Sequence, residues 1–134
     1  MKLPARPAPK VHRILLIEDN LDQLHSFAVL LKEMGHSVDF AINGYVAYDA
    51  ARRFRPDVAI IDLGLPGMTG FEIAMQIRRD PEFSGIRLIA LTAYSDDKFR
   101  ARAKECGFDE YYVKPLDPAK IYELFGDQKD AFTR

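Results

Sequence analysis

The stretch "PDVAIIDLGLPGMTGFEIAMQIRRD", residues 56–80, holds one complete strand, turn and helix. Val58 to Ile61 form an aliphatic run without polar alternation, the pattern of a strand covered on both faces. The run ends on a carboxylate, Asp62. Gly64, Pro66, Gly67 and Gly70 follow, residue types that allow the backbone to bend tightly and to approach a ligand. "GFEIAMQIRRD" then reads as a helix ended by Pro81.

The same unit recurs along the chain. "HRILLIED" is a buried strand, and the helix after it has Leu24, Phe27, Leu31 and Met34 at helical spacing. Asn20 precedes that helix, Gln23 stands at the capping-box position, and Gly35 closes it as a left-handed cap. "SVDFAI" alternates, Val38, Phe40 and Ile42 opposite Ser37, Asp39 and Ala41, which predicts an edge strand exposed on one side. A helix over 44–54, a strand "IRLIALT" ending at Thr92, and a helix in "SDDKFRARAKECGF" with Ser95 as N-cap follow. "EYYVK" is a fifth strand, its adjacent Tyr111 and Tyr112 facing opposite ways, and Pro118 opens a last helix. Five strand-then-helix units predict an α/β fold, a doubly wound parallel sheet, because parallel strands need crossover connections.

The chain of 134 residues, 48% hydrophobic, suits one domain with a real core. Its apolar runs fall far short of the roughly 20 residues that span a bilayer, and the N-terminus lacks the apolar stretch of a secretory signal. A cytoplasmic location without membrane contact is expected. Cys106 is the single cysteine, which excludes an internal disulfide; it reads as a small core residue. A net charge of -1 gives no basis for direct nucleic-acid binding. Residues 1–12, basic and proline-rich, read as a tail or linker; 13–126 as the folded domain; 127–134 as a polar tail. His12, His25 and His36 lack metal-ligand spacing and read as surface residues, and the basic run Lys98, Arg100, Arg102 and Lys104 as a solvated helix face.

In an open parallel sheet the site lies beyond the carboxyl ends of the strands. Those ends carry Glu18 and Asp19, Asp62, Thr92 and Lys114. Each alone is unremarkable: the acid pair could serve a helix dipole, the others could be loop or edge residues. Together they make a site. Gathered carboxylates require a cation, and oxygen donors of this charge suit Mg²⁺, with Mn²⁺ as a second choice. A hard metal beside an ammonium and a hydroxyl points to a phosphoryl group, with Asp62 as the central nucleophile.

"LLIEDN", "IIDLGLPGMTGFEI", "LIALTA" and "EYYVKPLD" together resemble the signature segments of the response-regulator receiver domain of two-component signalling, over residues 13–126. The wording is most similar to chemotaxis-regulator-like receivers that stand alone or end hybrid histidine kinases, rather than those leading a DNA-binding domain. The resemblance implies a flavodoxin-like (βα)5 sheet of order 2-1-3-4-5. It implies phosphorylation at Asp62, a metal held by Glu18, Asp19, Asp62 and the Gly64 carbonyl, and phosphate pairing by Lys114. It further implies a switch pair, Thr92 and Tyr111, with Ala93, Tyr94 and a cis Lys114-Pro115 bond beside the phosphate. Glu18 stands where many members have Asp, and Gly64 with Tyr94 implies slow self-dephosphorylation. The implied partners are a histidine kinase or phosphotransfer domain and an output domain or protein, with no enzyme activity beyond the domain's own phosphorylation and dephosphorylation.

The alternative within the family is an interaction module that acts without phosphorylation, against which all the site residues are present. A dehalogenase-type phosphatase would carry its nucleophile after the first strand with an acid two residues later. A flavin module would need hydroxyl and amide donors where "EDNLD" supplies acids.

Overall fold

The computed structural model describes residues 11–125. Its elements are β1 (Arg13–Ile17), α1 (Leu21–Glu33), β2 (Ser37–Ala41), α2 (Gly44–Phe54), β3 (Val58–Asp62), α3 (Gly70–Arg79), a 3₁₀ turn (Pro81–Phe83), β4 (Arg87–Thr92), α4 (Asp97–Glu105), β5 (Glu110–Val113) and α5 (Pro118–Phe125). The strands form one parallel sheet in the order β2-β1-β3-β4-β5, as expected. Apart from Val11 and His12, the segments read as tails lie outside the described residues. Among the described residues no helix is long and apolar enough to cross a membrane.

The aliphatic strands lack polar alternation because each face of the sheet meets its own helical layer. Leu15, Ile17, Ala59, Ile61, Leu88 and Ala90 pack with Ala47, Ala50, Ala51, Ile73, Ala74 and Ile77 from α2 and α3, and with Ala103 and Cys106 from the α4 segment. The alternate residues Ile14, Leu16, Val58, Ile60, Ile89 and Leu91 pack with Leu24 and Leu31 of α1 and with Ile121 and Phe125 of α5. Full burial of each such Leu or Ile stabilises the fold by about 1.5–3 kcal/mol. Tyr111 and Tyr112 divide as predicted, one against each layer.

Local chemistry fixes the boundaries. Asn20 Oδ1 accepts the Gln23 amide at 3.0 Å, and Gly35 takes φ 97° beyond α1. Thr69 and Glu72 form a reciprocal capping box at α3. At α4 the cap is Asp96, not Ser95: its Oδ1 accepts the Phe99 amide at 2.8 Å. Both residues are good caps, and the helix begins one residue later than expected, at Asp97.

Two other expectations need correction. β2 is an edge strand, but Phe40 and Ile42 are 53% and 44% exposed while Ala41 is buried. The small side chain is the one covered by the α2 layer. The outward amide of Phe40 is taken by its neighbour Asp39 Oδ1 at 2.8 Å, which caps the open edge. His36 is buried and His12 half-buried, while His25 is exposed. His36 Nδ1 accepts the His12 amide at 3.0 Å, both rings lie within 5.7 Å of Phe125 between centroids, and His36 Nε2 has no partner. Burial, then the nearby His12, lowers the His36 pKa below its ordinary value.

Candidate functional site

The strand register brings the candidate residues to one rim. Ile17 pairs with Ile61, Asp62 with Leu91, and Thr92 with Val113, so the residues after β1 and β5 and the last residues of β3 and β4 meet. Glu18, Asp62 and Thr92 are buried there, and Asp19 is exposed.

Carboxylate oxygens of Glu18, Asp19 and Asp62 lie within 4.8 Å of one another. Lys114 Nζ donates to Glu18 Oε1 at 2.7 Å, to Asp62 Oδ2 at 3.1 Å and to Gln23 Oε1 at 3.2 Å. The Asn20 amide donates to Glu18 Oε2 at 3.2 Å, and the Gly64 amide to Asp62 Oδ1 at 2.9 Å. Burial and then Asp62 outweigh the Lys114 bond and raise the Glu18 pKa above the usual carboxylate range. For Lys114, burial alone would lower the pKa, but its bonds to Glu18 and Asp62 prevail and hold the ammonium charged.

One ammonium, bonded to Glu18 and Asp62, stands beside three clustered carboxylates, a formal excess of two negative charges. An all-oxygen donor set with that excess fits a hard divalent cation such as Mg²⁺. Glu18, Asp19 and Asp62 are the side chains that could hold it.

The loop after Asp62 is pinned where glycine leaves room. A Cβ on Gly70 would stand 2.7 Å from the Asp62 carbonyl oxygen and 2.8 Å from Leu63 Cα. α3 therefore starts hard against the end of β3. Gly67, at φ 76°, passes beneath the Tyr45 ring of α2.

On the β4 and β5 side, Thr92 Oγ1 accepts the Tyr94 amide at 3.1 Å, and the Thr92 carbonyl accepts the Lys114 amide at 2.7 Å. Ala93 is exposed, and the Lys114-Pro115 bond is cis. The Tyr111 hydroxyl donates to the Tyr94 carbonyl at 2.6 Å, and burial raises its phenol pKa against the opposing influence of Thr92 and Arg100. The Tyr94 ring stacks on Phe99 with centroids 5.0 Å apart.

Sequence reasoning gave Gln23 only a capping position. Its amide does serve Asn20, but its side chain turns to Lys114. Its place in the first turn after the acidic pair was the available signal. A cleft of about 450 Å³ opens from Glu18 and Lys114 between α1 and α5, with Phe27, Leu30 and Ile121 in its walls.

The sequence model of the family described as "Response regulator receiver domain" matches residues 14–125. Protein PilH of Pseudomonas aeruginosa is 32% identical over 105 residues, which cover 78% of this chain and 87% of PilH. Chemotaxis protein CheY4 of Vibrio cholerae superposes with a TM-score of 0.82 at 25% identity, over 86% of this chain and 96% of that one. The receiver domain of a Pseudomonas aeruginosa sensor histidine kinase, solved with a magnesium ion coordinated in its active site cleft, gives a TM-score of 0.77 at 28% identity, over 87% and 95% of the two chains.

Proposed function

The chain belongs to the response regulator receiver domain family, and from that membership we propose that it is a phosphorylation-operated switch with Asp62 as the phosphoryl acceptor. The observation that carries this reading is the clustering of the Glu18, Asp19 and Asp62 carboxylates at the rim of the sheet, with Lys114 bonded to Glu18 and Asp62. The donor is a phosphohistidine of a histidine kinase or phosphotransfer domain. An Asp62 carboxylate oxygen forms the new bond to phosphorus as the nitrogen-phosphorus bond breaks, and the imidazole leaves with the electron pair and takes up a proton.

Lys114, already within 3.1 Å of Asp62 Oδ2, turns from the carboxylate to the transferred phosphoryl oxygens. Thr92 Oγ1 gives up the Tyr94 amide and donates its proton to the same group. When bound by Glu18, Asp19 and Asp62, Mg²⁺ or Mn²⁺ supplies the further positive charge that phosphoryl transfer needs. The change at Thr92 and Tyr94 reaches Tyr111 through the Tyr94 carbonyl, and partner binding changes with it.

The direct test is incubation of the protein with acetyl phosphate or phosphoramidate and Mg²⁺, followed by intact mass measurement. The expected result is a gain of one phosphoryl group in the wild type and none in Asp62→Asn. No gain in the wild type, or an equal gain in the variant, would reject the assignment.

A further inference from the structure

We propose that Arg100 of α4 is a positioning residue for Tyr111, a clamp that favours the docked ring before any phosphoryl group arrives. The inference rests on the reading of Asp62, Thr92 and Tyr111 as a switch. It departs from the plain expectation that the basic residues of α4 are merely solvated.

The Arg100 guanidinium carbon stands 4.7 Å from the Tyr111 ring centroid, within the range of a cation–π contact. Among the described residues Arg100 makes no ion pair, and its guanidinium lies over this ring. The ring is thus held twice, at its face by Arg100 and at its hydroxyl by the Tyr94 carbonyl.

The acceptor itself is anchored. Tyr94 gives its amide to Thr92 Oγ1 and stacks its ring on Phe99, which stacks in turn on Phe71 at 6.1 Å. On the other side of α4, Arg102 lies 4.2 Å over the Phe71 ring. Ring contacts thus run from Phe71 of α3 through Phe99 to Tyr94, a hydrogen bond carries the series on to Tyr111 of β5, and Arg100 is its terminal member. A single residue, Tyr94, joins the hydroxyl that meets the phosphoryl group to the ring that Arg100 holds.

Linkage then gives the sign. If phosphorylation favours docked Tyr111, docking favours phosphorylation by the same factor, and a contact that favours docking promotes phosphorylation in turn. Arg100→Met keeps an aliphatic stem and removes the cation, while Arg100→Lys keeps a cation. At an exposed site the loss of such a contact changes the docked-to-free ratio about two- to five-fold.

The test uses the whole chain labelled with 3-fluorotyrosine, the Tyr111 signal being assigned by its loss in Tyr111→Phe. Without phosphodonor, Arg100→Met is expected to shift the Tyr111 fluorine resonance toward the solvent-exposed position and to lower the docked-to-free ratio two- to five-fold, and Arg100→Lys to restore part of it. An unmoved resonance in Arg100→Met, or equal shifts in the Met and Lys variants, overturns the proposal. Acetyl phosphate and Mg²⁺ added to the same samples separate the two claims. A wild type that gains no phosphoryl group defeats the switch reading, and one that is phosphorylated while Arg100→Met leaves Tyr111 unchanged defeats only the clamp.

Discussion

Gly70→Ala is the substitution that most directly tests how the Asp62 carboxylate is placed. The new Cβ would lie 2.7 Å from the Asp62 carbonyl oxygen, 2.8 Å from Leu63 Cα and 3.0 Å from Leu63 Cδ2. The two nearest atoms are backbone, so no rotamer change relieves the contact. Carbon atoms prefer about 3.5 Å or more, so α3 must retreat from β3 by roughly 0.7 Å at its first turn. Overpacking of this kind costs about 1–3 kcal/mol. The better helix propensity of Ala returns about 0.5–1 kcal/mol. The net expectation is about 1–2 kcal/mol of destabilisation, read as a shift of about 0.5–1 M in the urea midpoint. Gly85→Ala is the internal control: no atom lies within 4 Å of its Cβ and its φ is not positive, so about 0.4–1 kcal/mol of stabilisation is expected. Equal midpoints for the two variants would refute the claim that α3 is seated by the missing side chain at Gly70.

Three residues distant from Asp62 give further expectations. The His36 pKa is lowered in the fold, so its neutral form contributes stability that is complete above the unfolded value, about 6.5, and is lost as pH falls through the folded pKa. Unfolding free energy should therefore drop more steeply as pH falls below about 6.5 in the wild type than in His36→Phe, and parallel curves would contradict this. Asp96→Ala should cost about 0.5–2 kcal/mol through loss of the Phe99 amide's acceptor. Ser95→Ala should stay within about 0.5 kcal/mol of the wild type, and the reverse order in thermal or urea unfolding would return the cap to Ser95.

Much of the architecture was legible because the apolar runs are unambiguous. Strands such as "ILLI" and "VAII" bury both sets of alternate residues, and each stops at the residue whose chemistry matters. Convergence of Glu18, Asp62 and Lys114 then follows from parallel topology, since one register carries every strand end to one side. What escaped depends on distant partners. His36 looks like a loop residue until the end of α5 brings Phe125 to it. Phe40 alternates correctly, yet its exposure is decided by which face of an edge strand a helix covers. Ser95 and Asp96 are chemically equivalent caps, and only backbone geometry separates them. Gln23 and Arg100 act through side chains long enough to reach another element, a freedom that spacing along the chain does not encode.

The position of Asp62 divides the molecule by mechanical character. Its strand is central, fully buried and hydrogen-bonded to a neighbour on each side, whereas β5 is half-buried at the sheet edge and much of α4 faces solvent. Local opening free energy rises with such burial, so the acid sits on the segment that yields last, and Thr92, Tyr94 and Tyr111 lead outward to segments that yield sooner. Under the proposed phosphorylation of Asp62, a covalent event on a stiff anvil would be spent on displacing the compliant rim, with little of its energy lost in bending the strand that receives it.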